Sequence, residues 1–239
     1  MIPKPQMTVM PAHATNTWPR LGTDFQYIVL HYVGAVSTAR NNGSYYGNTP
    51  NIGASAHFFV DEKEIVSSVP LSMAAGHCGV DYSDGRAPFW NGKGTLSTNR
   101  LSIGIEMCCK KDAKGSWYIE PETVTRTVGL VKWLMQEYKI PVENVIRHYD
   151  VCWKRCPEPW VRDPAQWERF KNRLIEEEEE MAVRYNTVSE MPAHYRDGAK
   201  KLVARGALRG RADGSLDVSE DMLRTMLVCQ RMVDEAMRA

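Results

Sequence analysis

The chain has 239 residues, 43% apolar and 25% charged, with a formal net charge of +1. That balance gives no electrostatic reason to expect nucleic acid or an anionic membrane as the main partner, and no run approaches the ~18 consecutive apolar residues of a transmembrane helix. The length suits one medium domain plus a small module, or a single large domain.

Residues 1–14 contain three prolines and no continuous apolar stretch, so no signal peptide is expected and synthesis in the cytoplasm is the reading. Residues 25–33 predict a buried strand that delivers His31 near its end. The stretch 37–53, rich in Asn and Gly, reads as a loop with room for a short helix, and 56–60 with 64–69 read as a hairpin around Asp61-Glu62-Lys63. Residues 80–100 read as a long loop. A strand follows over 101–108, then a helix over 121–138 with Pro121 in its first turn and Val124, Val128, Val131, Leu134 and Met135 at helical spacing. A short strand at 144–147 leads into His148, and a helix over 164–182 carries Trp167, Phe170, Leu174 and Ile175. Strands interleaved with helices argue for an α/β or α+β fold with a central mixed sheet.

Glu176 to Glu180 mark a boundary between a domain of residues 1–180 and a small helical module of residues 181–239. The module predicts one helix over 193–205 and a second after Asp217, with Met222, Leu223, Met226, Leu227 and Val233 on one face. Cell-wall binding or dimerisation through that Met/Leu face are the two roles considered, beside simple packing. The loop at Asp213 fails as a calcium loop, because the sixth position is Val218 and the twelfth Arg224. Of six cysteines, Cys108 and Cys109 should point to opposite faces of a strand as core fillers, and Cys229 is read the same way on its helix.

His31, His148 and Cys156 offer two imidazoles and a thiolate, three ligands for a tetrahedral zinc with the fourth position left for water. Such chemistry needs a carboxylate to manage protons and a cation for the developing oxyanion. Glu106 and Lys154 can supply them, although an edge-strand carboxylate and a solvated lysine are the plain alternatives.

The motifs VLHYVGA around His31, SAHFFVD at 55–61, AGHCG at 75–79, NRLSIGIEMC at 99–108 and RHYDVCWKRCP at 147–157 resemble those of zinc-dependent N-acetylmuramoyl-L-alanine amidases. Phage lysozyme-type amidases and peptidoglycan recognition proteins share that fold. The resemblance spans residues 20–175 and implies an α/β fold, a central mixed sheet flanked by helices. It further implies zinc on His31, His148 and Cys156, Glu106 as catalytic carboxylate and Lys154 as transition-state stabiliser. The implied partner is cell-wall peptidoglycan, cut between N-acetylmuramic acid and L-alanine, in the manner of a phage or prophage endolysin that a holin or another route releases to the wall. Where many members carry Trp before the histidine of AGHCG, this chain has Gly76, which is expected to widen the groove or alter glycan stacking. Ala56 stands where some members place a catalytic tyrosine, in keeping with Glu106. His77, Tyr46, Trp90 and Asn91 are candidate substrate contacts, with Tyr45 beside them; Asp150 and His57 are candidates for the shell behind the ligands. For His77 and His57 a structural role stands open equally. Two other readings compete: a peptidoglycan-binding protein that does not cut, and a structural zinc site closed by Cys152.

Overall fold

A computed structural model describes residues 2–20, 24–79, 94–175 and 184–236. The chain divides into two compact units, Met1–Glu176 and Glu177–Ala239, and each is described by itself.

The first unit runs β1 (Thr8–Val9), β2 (Thr17–Pro19), β3 (Tyr27–Val36), α1 (Ala39–Asn48), β4 (Phe58–Val60), β5 (Ile65–Ser67), β6 (Met73–Ala75), α2 (Gly94–Leu101), β7 (Ser102–Lys111), β8 (Trp117–Tyr118), α3 (Pro121–Tyr138), β9 (Val145–Arg147), α4 (His148–Cys152), α5 (Glu158–Arg162) and α6 (Pro164–Ile175). The main sheet has the order β1-β5-β4-β7-β3-β9, with β8 pairing on β7; β2 and β6 form a separate antiparallel pair. β4, β7, β3 and β9 are mutually parallel, while β5 runs against β4. The fold is therefore α/β, a mixed central sheet with flanking helices.

Period-two alternation explains which face is which. Ile28 and Leu30 of β3, with Ile103, Ile105, Met107 and Cys109 of β7, enter the main core against α3 and α6. The intervening residues, Val29 and His31 on β3 and Gly104 and Glu106 on β7, turn to the other face. Cys108 and Cys109 accordingly lie in separate apolar clusters on opposite faces. α3 begins at Pro121, a first-turn position whose missing N–H costs nothing, and ends where Lys139 takes a left-handed conformation. Its buried stripe includes Leu130, Val131 and Leu134.

The short helix allowed for in 37–53 is present as α1, and the stretch read as a loop over 80–100 contains a helix as well. α1 forms in a segment of poor helix formers because two side chains satisfy its first N–H groups: Thr38 Oγ1 accepts from the Asn41 N–H (3.1 Å) and Asp61 Oδ2 from the Ala39 N–H (2.8 Å). Its Gly43 allows close approach, since a Cβ there would lie 2.8 Å from Val66. Within the expected 80–100 loop, residues 94–101 form α2.

The second unit pairs β10 (Arg184–Tyr185) with β11 (Val218–Ser219) and packs α7 (Ala193–Ala204) on α8 (Glu220–Ala236). It has its own core of Tyr185, Met191, Ala199, Leu202, Leu208, Val218, Leu223 and Leu227. The expected Met/Leu face is split: Leu223 and Leu227 are buried, whereas Met222 and Val233 are exposed; Cys229, expected to fill the core, is exposed as well. The Glu176–Glu180 run lies outside the described residues.

Leu134→Ala, at a fully buried position of α3, should cost about 2–5 kcal/mol, read as a lowered midpoint in urea denaturation.

Candidate metal centre and active-site cleft

The register of β3 on β7 sets the site. His31 and Glu106 are Cα partners across that pair, and Leu30 pairs with Arg147, the residue before His148, on the other side of β3. Parallel strands thus bring the three side chains to one end of the sheet, where open α/β folds place their ligands. Asp150 secures the start of α4: its carboxylate accepts from the Arg147 backbone N–H at 2.8 Å and pairs with the Arg147 guanidinium at 2.8 Å. The Tyr149 N–H donates to the Cys156 carbonyl at 2.9 Å, which holds the Cys156 loop beside that helix.

His31 Nδ1 lies 3.0 Å from His148 Nδ1, 3.7 Å from Cys156 Sγ and 4.0 Å from Glu106 Oε1. A tetrahedral zinc with Zn–N of about 2.1 Å and Zn–S of about 2.3 Å has N···N and N···S edges of ~3.4 and ~3.6 Å, so this donor set fits one. The rear nitrogens are engaged by the protein. His148 Nε2–H donates to the Gly79 carbonyl at 2.9 Å, and His31 Nε2 meets His77 Nδ1 at 2.9 Å. His31, His77 and Cys78 also cluster, but His77 Nε2 is 3.2 Å from Ser102 Oγ, and the set with Cys156 is the one Glu106 approaches. Cys152, the candidate closing ligand, directs its thiol toward the Gly79 and His148 carbonyls at 3.8 and 3.9 Å and belongs to neither donor group.

Burial pushes His31 and His77 well below the usual histidine pKa, and His148 down to about 3, so all three rings are neutral at pH 7. Burial likewise raises the Glu106 carboxyl to about 8, with Lys154 pulling the other way. Glu106 Oε2 is buried without a hydrogen-bond partner among the described residues, yet the side chain is 21% exposed to the cleft.

These groups open into a cleft of 600 Å³ whose wall includes Glu106, Lys154, Tyr46, Trp18, Asn99 and Arg100. Tyr46 comes from α1 and stacks on Phe59, while Tyr45 is exposed and not part of the wall. Trp90 and Asn91 lie outside the described residues. His57 has no spare nitrogen: its Nδ1 accepts from the Gly104 N–H (3.0 Å) and its Nε2–H donates to the Met73 carbonyl (3.2 Å). Gly104 makes room for His77, whose Cγ would lie 2.4 Å from a Cβ there.

Trp18, Asn99 and Ser102 were not foreseen. Asn99 Oδ1 accepts from the N–H groups of both His77 and Cys78 (3.1 and 2.8 Å); its place in the NRLSIGIE motif was its only signal. The expected widening at Gly76 is corrected by Trp18, whose indole fills that space: a Cβ on Gly76 would lie 2.6 Å from it. β2 reaches there by pairing with β6, a contact between residues 18 and 74 that no local pattern announces.

The class of protein follows from fold and site together. The described structure aligns with a mutant endolysin from Bacillus subtilis (27% identity, TM-score 0.54, 71% of this chain and 98% of that one). It also aligns with the catalytic domain of XlyA (26% identity, TM-score 0.54, 71% and 99%). The sequence profile of the N-acetylmuramoyl-L-alanine amidase family matches residues 21–159, and the chain belongs to that family. Curated relatives include the N-acetylmuramoyl-L-alanine amidase BlyA of Bacillus subtilis, 34% identical over 66% of this chain and 44% of the relative. Another is the amidase CwlL of Bacillus licheniformis, 33% identical over 62% of this chain and 40% of the relative. The chain thus spans under half the length of these relatives.

His57, fully buried, has its pKa depressed to about 3, against ~6.5 in an unfolded chain. The unfolded state therefore takes up this proton first, and stability falls as pH drops from ~6.5 toward 3, by at most ~1.4 kcal/mol per pH unit for one group. Urea titrations between pH 7 and 5 should show a shallower decline for His57→Gln than for the natural chain.

Proposed function

We propose that this chain is a zinc-dependent peptidoglycan hydrolase of the endolysin type, cutting the amide between the lactyl group of N-acetylmuramic acid and L-alanine of the stem peptide. The observation that carries the reading is the convergence of His31 Nδ1, His148 Nδ1 and Cys156 Sγ beside Glu106. His31, His148 and Cys156 would hold the metal, leaving its fourth side open to the cleft. Zinc, when bound there, supplies Lewis acidity toward a carbonyl and a lowered pKa for water.

Glu106, on the cleft side of the ligands and held ionised when the charge of a bound dication adds to that of Lys154, takes a proton from the attacking water and passes it to the leaving amine. Lys154, exposed in the same cleft, places its ammonium against the developing oxyanion. Tyr46 and Trp18 offer aromatic faces and edges for sugar or peptide, and Asp150 and His57 act by fixing α4 and β7 rather than by touching substrate. The wall is the place of action. Among the described residues no helix is long and apolar enough to cross a membrane. The second unit, with a core of its own, is offered as a wall-associated module.

Purified cell walls digested by the natural chain should release new L-alanine amino termini, and a chelator should abolish the release. Glu106→Ala should lower the rate by about 10²–10⁴-fold and Lys154→Ala by about 10²–10³-fold. Tight zinc binding with no new termini from any wall would instead establish a binding protein of the same fold.

A further inference from the structure

Hydrogen-bond direction behind His31 can be traced atom by atom. Ser102 Oγ lies 2.6 Å from the Thr98 carbonyl, an obligate acceptor, so the single hydroxyl proton of Ser102 points there. Toward His77 Nε2, 3.2 Å away, Ser102 Oγ is therefore left as acceptor, and His77 must carry its proton on Nε2. A neutral His77 then has a bare Nδ1. His31 Nε2, 2.9 Å from the same atom, must in turn be the donor, which strips His31 Nδ1 of its proton.

On the opposite side the Gly79 carbonyl, another obligate acceptor, draws the His148 proton to Nε2 and leaves its Nδ1 bare. Two bare lone pairs then face each other at 3.0 Å, an arrangement that repels unless a cation lies between them.

We propose that Ser102 and His77 form a proton-ordering relay from the Thr98 carbonyl that locks His31 in its Nε2–H tautomer and so presents Nδ1 to the metal. The proposal rests on the zinc reading above and deepens it: both are positioning residues, and His77 acts on His31 rather than on substrate. The relay is built into β7. Ser102 starts that strand, and Gly104, two residues on along the same face, leaves the space in which the His77 ring lies. Asn99 fixes the backbone of His77 from the preceding helix.

Long-range ¹H–¹⁵N spectra of the metal-free natural chain should show His31, His77 and His148 all as Nε2–H tautomers. Ser102→Ala removes the acceptor that orders His77. It should leave His31 a mixture of tautomers and weaken zinc affinity, measured by chelator competition, about 10–100-fold. His77→Leu should weaken it as much, whereas His77→Asn, whose carbonyl oxygen can stand where Nδ1 stood, should bind zinc within a few-fold of the natural chain. A metal-free His31 protonated on Nδ1 would overturn the relay. So would Ser102→Ala and His77→Leu proteins that bind zinc as tightly as the natural chain with His31 unchanged. A natural chain with the expected tautomers that binds no zinc would sink the proposed function while supporting the tautomer assignment.

Discussion

The parallel pairing of β3 with β7 in one fixed register is the constraint on which the rest depends. It sets His31 opposite Glu106 and, through the neighbouring strand, brings His148 to the same end of the sheet. A slip of one residue would send His31 and Glu106 into the apolar face and turn Leu30 and Ile105 outward. Burial of Ile28, Leu30, Ile103 and Ile105 against α3 thus holds the site geometry as well as the fold. The same residues that exclude water on one face dictate which polar groups meet on the other.

Gathering three histidines in a buried volume has a cost that the structure meets in a specific way. Each ring is neutral, and its rear nitrogen bonds to a protein partner: Gly79 for His148, His77 for His31, Ser102 for His77. Polar groups buried in this way stay affordable only when such networks close. Here the network closes everywhere except at the front, where two ring nitrogens, the Cys156 sulfur and the Glu106 carboxyl converge. That local gap fits a divalent cation, and the residues around it line the cleft.

Much of this was legible in the sequence, and the residues explain why. β3 and α3 announced themselves because period two and period 3.6 run uninterrupted through them, and Pro121 marks the start of α3. The ligand candidates were legible from residue type, spacing and motif order. α1 was legible only as room for a short helix, because one of the two side chains that cap it is Asp61, 22 residues away, against the local preference of Asn and Gly. β1 and β2 are two and three residues long, too short to show any period. Trp18 over Gly76 and Ser102 behind His77 are contacts across the fold. On α8 the apolar residues spread too widely for the pattern to fix which side is buried, so Cys229 and Met222 turned out exposed.

Whether the site is open for chemistry or closed for structure is decided by the fourth ligand. Zinc-edge absorption spectroscopy on the zinc-loaded chain tests this directly. Two imidazole nitrogens, one sulfur and one oxygen around the metal are the predicted result, with the sulfur lost in Cys156→Ser. Two sulfurs and two nitrogens, with Cys152 drawn in as the second thiolate, would contradict it and make the centre a structural one.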